Sequence, residues 1–212
     1  MFRSIFRPYG LVWTVLNTVT DVVGLTLCWL LCCLPIVTVF PATAALYDAV
    51  VHGIRYREEG PYKRFFKTFR AEWKSGILST LFWGAVLGFF GYLLAVLLTM
   101  ARQDSGFSLY AGVYLAGMLL PIGAACWSAA IISRFTFSFL ALTGTAVRFV
   151  IAHFFRSLGI AACTVALAVF TWNYPIWIFA APACLMLLWS VFAEPVFAKY
   201  GAAITPVTPD ED

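Results

Sequence analysis

Ionisable residues beside apolar stretches are the places where this 212-residue chain could do chemistry. Asp21 borders one apolar run and Glu194 ends another, while Asp48 and His52 lie four residues apart. On a helix, residues four apart share a face. Ionisable groups in a membrane mark ion or substrate sites, or they pair and hydrate at its edges. A transporter could use Asp21, Asp48 or Glu194 to bind a cation or the hydroxyls of a sugar.

The residue types needed for enzyme chemistry are sparse. The chain has two histidines and no clustered carboxylates, which argues against a metal centre and a catalytic triad. No GxxxxGK[ST] motif occurs, so the chain is not itself expected to be an ATPase. All six cysteines lie in apolar runs and none forms a CxxC pair, which is typical of packing residues. We therefore expect no catalytic residue, no cofactor and no metal.

The composition indicates an integral membrane protein. Hydrophobic residues make up 62% of the chain and charged residues 11%, whereas a soluble domain is about one quarter charged. The net charge of +4 comes from residues that flank apolar runs, so the expected partner is the lipid bilayer rather than a nucleic acid. The predicted fold is all-α, a polytopic membrane helix bundle of about five transmembrane helices with amphipathic surface helices.

The apolar runs predict one transmembrane domain over residues 1–200, with no second globular domain. A span needs about 20 residues. The predicted spans are residues 20–40, 76–100, 109–133, 150–172 and 176–193, with an amphipathic cytoplasmic connector at 42–74 and an acidic, disordered tail at 201–212.

Lysine and arginine counts predict the orientation. The connectors after spans one and three, together with the C-terminus, carry eleven of these residues. The opposite side has Arg3, Arg7 and Arg102. The positive-inside rule then places the basic connectors and the C-terminus in the cytoplasm and the N-terminus outside. Arg3 and Arg7 favour the reverse for the N-terminus, which requires that the first run re-enters or that the number of spans is even.

Residues 34–48, LPIVTVFPATAALYD, contain two prolines six residues apart. Proline lacks a backbone donor and interrupts helices, so Pro35 and Pro41 predict a rigid corner. The carbonyls freed there need partners, and Thr38 and Thr43 are the candidates. The helix after Pro41, with Pro41 near its first turn, is expected to lie on the membrane surface.

The same region carries a resemblance. The segments CWLLCCLPIVTVFPATAALYDAV, YKRFFKTFRAEW and EPVFAKYG resemble the YesL-like family of bacterial membrane proteins of unknown function. The family often has glycine before the second proline and asparagine shortly before the tryptophan, where this chain has Phe40 and Thr26. The resemblance implies a multi-pass protein of the bacterial cytoplasmic membrane. It also implies a link to carbohydrate uptake, since genes for uptake and polysaccharide breakdown often adjoin those of the family.

The basic connector predicts an amphipathic helix. Aromatic residues recur on one face and basic residues fill the other: Phe65, Phe66, Phe69 and Trp73, against Lys63, Arg64, Lys67 and Arg70. Such a helix lies in the headgroup layer with its aromatic side down. One interpretation is a cytoplasmic docking surface for a protein partner. The other is a membrane-surface helix that only orients the second span.

Two hypotheses for the function remain. The first is a non-enzymatic accessory or assembly component that works with carbohydrate ABC transporter subunits. The second is a small transporter or channel that acts as a homo-oligomer, as the proline-broken helices suggest. Small residues on spans two and three, including Gly84, Gly88, Gly112 and Gly117, permit close helix contacts. We expect those contacts to lie within the chain more than between copies.

Overall fold

A computed structural model describes residues 11–56, 58, 60–103, 105–135 and 137–201, and the side chains among these except those of residues 11–15 and 105. The described chain is helical throughout and contains no strand. Nine α-helices follow in order: α1 Leu11–Cys32, α2 Val39–Val50, α3 Pro61–Ala71, α4 Trp73–Gln103, α5 Ser108–Gly117, α6 Leu119–Ile132, α7 Phe139–Ala152, α8 Phe154–Asn173 and α9 Ala181–Tyr200. The predicted all-α class is confirmed.

Five helical segments of the described chain are long and apolar enough to cross a membrane, which makes this a multi-pass membrane protein. They are Ile36–Arg55, Trp73–Gln103, Ser108–Ile132, Phe154–Asn173 and Ala181–Tyr200. The first differs from the prediction, because the break between helices falls at Leu34–Pro35 and not after residue 40. The predicted interruption at Pro121 appears as the junction of α5 and α6. Helix α5 ends at Gly117, four residues before Pro121.

The helix that follows Pro41 is buried at the centre of the bundle, and the prediction of a surface helix there was wrong. Every residue from Ala44 to Val51 is at most 3% exposed. Val51 is the first residue of the π-helical extension Val51–Arg55. Helices α1, α3, α4, α6 and α9 all pack against α2. The run ATAALYDAVV is apolar on nearly every side, with Thr43 and Asp48 as the exceptions, which is the pattern of a helix surrounded by others.

Helices α1 and α2 form an antiparallel hairpin. Near its turn, the Trp29 indole donates a hydrogen bond to Thr43. Farther from the turn, Gly24 of α1 contacts Tyr62, at the start of α3. The hairpin meets α4 close to its beginning, where the Phe40 backbone N–H bonds Thr80, whereas α4 continues for about 35 Å beyond that residue. The hairpin therefore reaches only part of the way along α4.

Helix α3 returns along α2. Gly60 allows the turn between them, since its φ of 78° lies in the left-handed region. Gly53 contacts Pro61 at the start of α3, and beyond the end of α3 the first turn of α4 contacts α2 through Gly76 and Pro41. The same layout recurs later: α7 packs along α6 and leads through a one-residue break into the apolar helix α8. Long α4 and α8 thus each follow a short helix laid against a central one.

Indole–hydroxyl hydrogen bonds join neighbouring helices. Four tryptophan N–H groups donate to serine or threonine hydroxyls, in the pairs Trp29–Thr43, Trp83–Ser128, Trp127–Ser157 and Trp189–Thr164. Each hydroxyl also donates to the carbonyl four residues before it. In an apolar surrounding every polar group needs such a partner, and these pairs provide one without introducing charge.

The glycines expected to bring helices of this chain together do not do so. Gly84, Gly88, Gly112 and Gly117 have no atom of the described chain within 4 Å of the place a Cβ would occupy. Close contacts are made instead at other glycines: Gly24, Gly53, Gly76, Gly123 and Gly159. The predicted intramolecular role of the first four was therefore wrong.

Candidate functional site

Two polar clusters lie on different faces of α2, because Tyr47 and Asp48 are consecutive residues and point about 100° apart on a helix. We call them the Asp48 cluster, which faces α3, and the Glu194 cluster, which faces α9. Tyr47 is fully buried and Asp48 is 3% exposed. These clusters are the polar interior of an otherwise apolar bundle.

The Asp48 cluster fixes α3 to α2. Asp48 Oδ2 accepts hydrogen bonds from Arg64 Nε at 3.0 Å and from Thr68 Oγ1 at 2.7 Å. Arg64 also bonds Glu58 at 2.9 Å. His52 Nδ1 lies 2.9 Å from Asp48 Oδ1 and 3.0 Å from the Asp48 carbonyl oxygen. Asp48 Oδ1 is buried and has no well-aligned hydrogen bond in the described chain.

Asp48 and His52 therefore share a face as predicted, but the main partner of Asp48 is Arg64. The positive charge of the guanidinium balances the buried carboxylate. The same arginine was predicted to belong to an exposed basic face, and the structure places it between α2 and that face, with 39% of its side chain exposed.

The Glu194 cluster joins four segments of the chain. Glu194 Oε1 accepts hydrogen bonds from Tyr47 at 3.0 Å and Arg134 at 2.7 Å, and Oε2 accepts one from Tyr56 at 3.0 Å. Beside it, Arg55 donates to Ser190 at 2.7 Å. Arg134 Nε is buried with no partner in the described chain.

The geometry of both clusters indicates that they stabilise the helix bundle. Each buried carboxylate has a guanidinium partner, and removing one member of such a pair leaves an uncompensated charge. Within the described chain no three metal-ligating side chains come together.

Asp21 stands apart from both clusters, near the start of α3. Burial, then the charge and hydrogen bond of Asp21, raise the pKa of Tyr62.

The two threonines of the proline segment bond different kinds of carbonyl: those bonded by Thr38 lie at the helix break, and the one bonded by Thr43 lies four residues before it within α2. The Thr38 hydroxyl bonds the Cys32 and Pro35 carbonyls, and the Thr43 hydroxyl bonds the Val39 carbonyl. Pro41 lies in the first turn of α2, where a missing N–H costs little. Pro35 stands at the break between α1 and the 3₁₀ helix Ile36–Thr38. Thus Pro35 marks the corner and Pro41 lies within a continuous helix.

The aromatic side of α3 divides between the protein and its surroundings, and the prediction that it lies wholly in the headgroup layer was wrong. Phe65 is fully buried in the core and Phe69 packs against that core, whereas Phe66 is 52% and Trp73 42% exposed. Burial also raises the pKa of Glu72, at the end of α3, and its bond from Ser75 lowers it by less.

The outer face of α3 is basic. Lys63, Lys67 and Arg70 are exposed at spacings of four and three residues on α3, so they share one face. Exposed Lys74 follows at the start of α4 and extends this row of cations. We call these four cations, with Phe66 and Trp73, the basic stripe. Beside it is a hollow of about 650 Å³ lined by Phe66, Phe69, Arg70, Ala71, Trp73 and Lys74. This surface is held rigidly, because the opposite side of α3 is fixed to Asp48 and the core.

An apolar cavity of about 970 Å³ lies at the other end of α2. Its walls come from α1, α2, α4, α6, α8 and α9, and no lining residue is ionised at neutral pH. The floor is buried at Cys126, Met186 and Trp189. The mouth is formed by exposed residues, among them Trp172 at 88% and Ile178 at 39%. The cavity is thus open at the turn between α8 and α9.

Comparison with known families gives one match. Residues 22–96 match the model of DUF624, a family described as proteins of unknown function. The match runs from α1 through most of α4 and so includes the proline segment, the Asp48 cluster and the basic stripe. No curated protein and no solved structure matches the chain. The YesL-like resemblance stays a prediction.

Sequence reasoning found Asp48, His52 and Glu194 but not their partners. Tyr47 and Tyr56 read as ordinary aromatic residues, and Arg134 counted only toward the orientation. The signal for Arg134 is its position, directly after the long apolar run of α6, where an arginine must find a partner or reach the membrane surface. Nothing in the sequence pairs it with a glutamate 60 residues later.

Proposed function

We propose that this protein is a non-enzymatic accessory or assembly subunit of the bacterial cytoplasmic membrane, whose basic stripe docks a partner protein. The single observation that carries the proposal is the rigid presentation of the stripe. Three exposed cations and the exposed ring of Phe66 stand on α3, which the ion pair between Arg64 and the buried Asp48 fixes to the central helix. Exposed Trp73 and Lys74 extend this surface at the start of α4. Arginine and aromatic residues are enriched where proteins bind each other.

The resemblance to the YesL-like family supports a link to carbohydrate uptake, with ABC transporter subunits as the partner. The alternative of a small transporter or channel has less support from the geometry. Its candidate carboxylates, Asp48 and Glu194, are occupied by Arg64 and Arg134, and the large cavity is lined by apolar residues rather than by groups that could bind a sugar or an ion.

We further propose that both chain ends lie in the cytoplasm. The α1–α2 hairpin returns to the side it came from, so it adds an even number of crossings whether or not it spans. Arg3 and Arg7 then join the basic side, and the count becomes thirteen against Arg102 alone. This distribution follows the positive-inside rule more closely than the eleven-to-three count.

Affinity purification in a mild detergent tests the docking proposal. The test variant is Lys67→Glu with Arg70→Glu, which reverses the middle of the stripe. The matched control is Arg102→Glu, an exposed charge reversal at the far end of α4. We expect subunits of a solute-uptake system to co-purify with the wild type and the control but to be lost from the test variant.

The opposite results are equally clear. Uptake subunits that stay bound to the reversed stripe would show that the stripe is not the docking site. A protein that purifies alone and moves solute across liposomes would support the transporter. If no protein partner is found and the reversed stripe loses its binding to anionic vesicles, the stripe binds lipid rather than a protein.

A further inference from the structure

The apolar cavity goes beyond the proposed function, because its chemistry selects a ligand. A void of about 970 Å³ lies at the upper end of the usual range for ligand pockets, about 300–1,000 Å³. It is open to the surface at the turn between α8 and α9, so it is a deep groove into the bundle and not a closed void in the core. Six helices converge on it, so it is a feature of the whole bundle and not of one loose side chain.

The polar atoms in its walls already have partners inside the protein. Thr43 Oγ1 bonds the Val39 carbonyl and accepts from Trp29, and Thr164 Oγ1 bonds the Ile160 carbonyl and accepts from Trp189. Water in a cavity needs two to four polar partners. Since the threonines, Trp29 and Trp189 are already paired, the cavity favours an apolar guest over water.

The mouth continues the surface that faces lipid. The α1–α2 turn, which supplies the lining residues Cys33 and Val39, also carries the exposed apolar residues Leu34, at 77%, and Ile36, at 81%. Trp172, Tyr174 and Trp177 are exposed on the α8–α9 turn. Tryptophan and tyrosine are enriched at the level of lipid headgroups. A molecule that enters here therefore comes from the bilayer, with its polar end beside these rings.

We propose that the cavity is a binding site for the hydrocarbon chain of a membrane lipid. The hydrocarbon chain of the lipid enters between α2 and the α8–α9 turn and ends against Cys126, Met186 and Trp189. The lipid headgroup stays beside the aromatic rings of Trp172 and Tyr174. The site holds the chain between α1–α2 and α8–α9, which makes the lipid part of the packing of these two hairpins.

Photo-crosslinking of the full chain tests this. The protein is reconstituted in phosphatidylethanolamine–phosphatidylglycerol vesicles that contain a phospholipid with a diazirine in its acyl chain. We expect adducts to concentrate on cavity residues such as Ile122, Leu167 and Leu185, and unlabelled lipid to compete with them slowly. Exposed residues of α4, such as Leu81 and Leu98, report ordinary contact with the bilayer.

A matched pair of variants on α8 adds a second measurement. Ala168→Trp fills part of the cavity, whereas Ala166→Trp places the same ring on an exposed alanine that does not line it. After exchange into detergent, we expect the lipid retained per protein to fall about tenfold in Ala168→Trp and to stay unchanged in Ala166→Trp.

Equal adduct density on α4 and in the cavity would overturn the proposal, because it would show general solvation by lipid. So would equal lipid retention in the two variants. If Ala168→Trp does not fold, Ala125→Phe fills the cavity from α6, and the adduct pattern of the wild type decides the question without any variant.

Discussion

At the scale of single residues, side chains that were predicted as candidates for chemistry are found to make contacts that hold the helices together. Glu194 was predicted as a membrane-edge carboxylate that could bind a solute. It is surrounded instead by two tyrosine hydroxyls and one guanidinium. A carboxylate with these donors has little capacity left for a ligand. Its expected role is to hold α9 against α2 and the segment after α6.

Removing this carboxylate should destabilise the protein strongly. We expect Glu194→Ala to cost about 3–5 kcal/mol, because Arg134 is left as an uncompensated buried charge. Removing both in Glu194→Ala with Arg134→Ala should cost less than the sum of the single changes. Unfolding in detergent measures the free energies. The control is Glu58→Ala, whose exposed pair with Arg64 is worth about 0–1 kcal/mol; additive effects at the buried pair would contradict the assignment.

His153 should make stability depend on pH. Burial, then the charges of Arg156 and Lys199, lower the pKa of this histidine below its ordinary value of 6.5. The unfolded chain then takes up the proton first, so stability is complete above pH 6.5 and falls as the pH falls through 6.5 toward the lowered pKa.

We expect His153→Phe to reduce this loss, because the ring contacts with Phe149 and Tyr200 can persist without a proton to bind. Thermal unfolding between pH 8 and pH 5 gives the comparison. An identical slope in the variant would exclude His153 as the cause.

At the scale of helices, periodicity predicted the elements more reliably than their surroundings. The amphipathic pattern of α3 was evident, but a helical pattern does not say which apolar side chains meet lipid and which meet protein. Phe65 and Phe66 are neighbours in sequence, yet one is fully buried and the other is half exposed. The difference arises from the long-range pairing of Arg64 and Thr68 with Asp48, which rotates α3 onto α2.

This pair of phenylalanines gives a direct test. Phe65→Ala should cost about 3–5 kcal/mol, as is usual for a buried phenylalanine, while Phe66→Ala should change stability by much less. Chemical unfolding in one detergent measures both. If α3 rested on the bilayer with its rings down, the two variants would instead lose vesicle binding together and differ little in stability.

The glycines of α4 form another matched pair. A Cβ at Gly76 would lie 2.6 Å from the Cβ of Pro41, so Gly76→Ala should cost on the order of 1–3 kcal/mol by overpacking. Gly84→Ala enters open space on the same helix and should be neutral or add up to about 1 kcal/mol. The thermal midpoints of the two variants decide. A neutral Gly76→Ala would mean that α2 and α4 are farther apart than described.

At the scale of the whole molecule, composition predicted a polytopic helix bundle correctly, and of the two prolines expected to form the corner, Pro35 marks the break while Pro41 does not. What the sequence could not show is that α2 is central. A run such as ATAALYDAV fits a surface helix, a span or a buried helix equally, because its burial depends on five other helices, of which α6 and α9 lie far away in sequence. The Glu194 cluster could not be predicted from the sequence for the same reason.

The proposed topology is a prediction at this scale. A fluorescent protein that folds only in the cytoplasm should be bright when fused before Met1 and after Gly60. A phosphatase active only outside the cytoplasm should be active when fused at Gln103 and silent at the other two sites. An active phosphatase at the N-terminus would show that the α1–α2 hairpin does not return to its own side.

The hydrogen bond between Tyr47 and Glu194 joins residues 147 positions apart, and this sets an order of events during synthesis. Helix α2 leaves the ribosome early, with Asp48 able to find Arg64 almost at once, since only 16 residues separate them. Tyr47 must wait for the last helix. Until α9 is inserted, Arg134 and Tyr47 are polar groups without their carboxylate, so a chain cut short before α9 is expected to be recognised and degraded rather than to persist as a partial bundle.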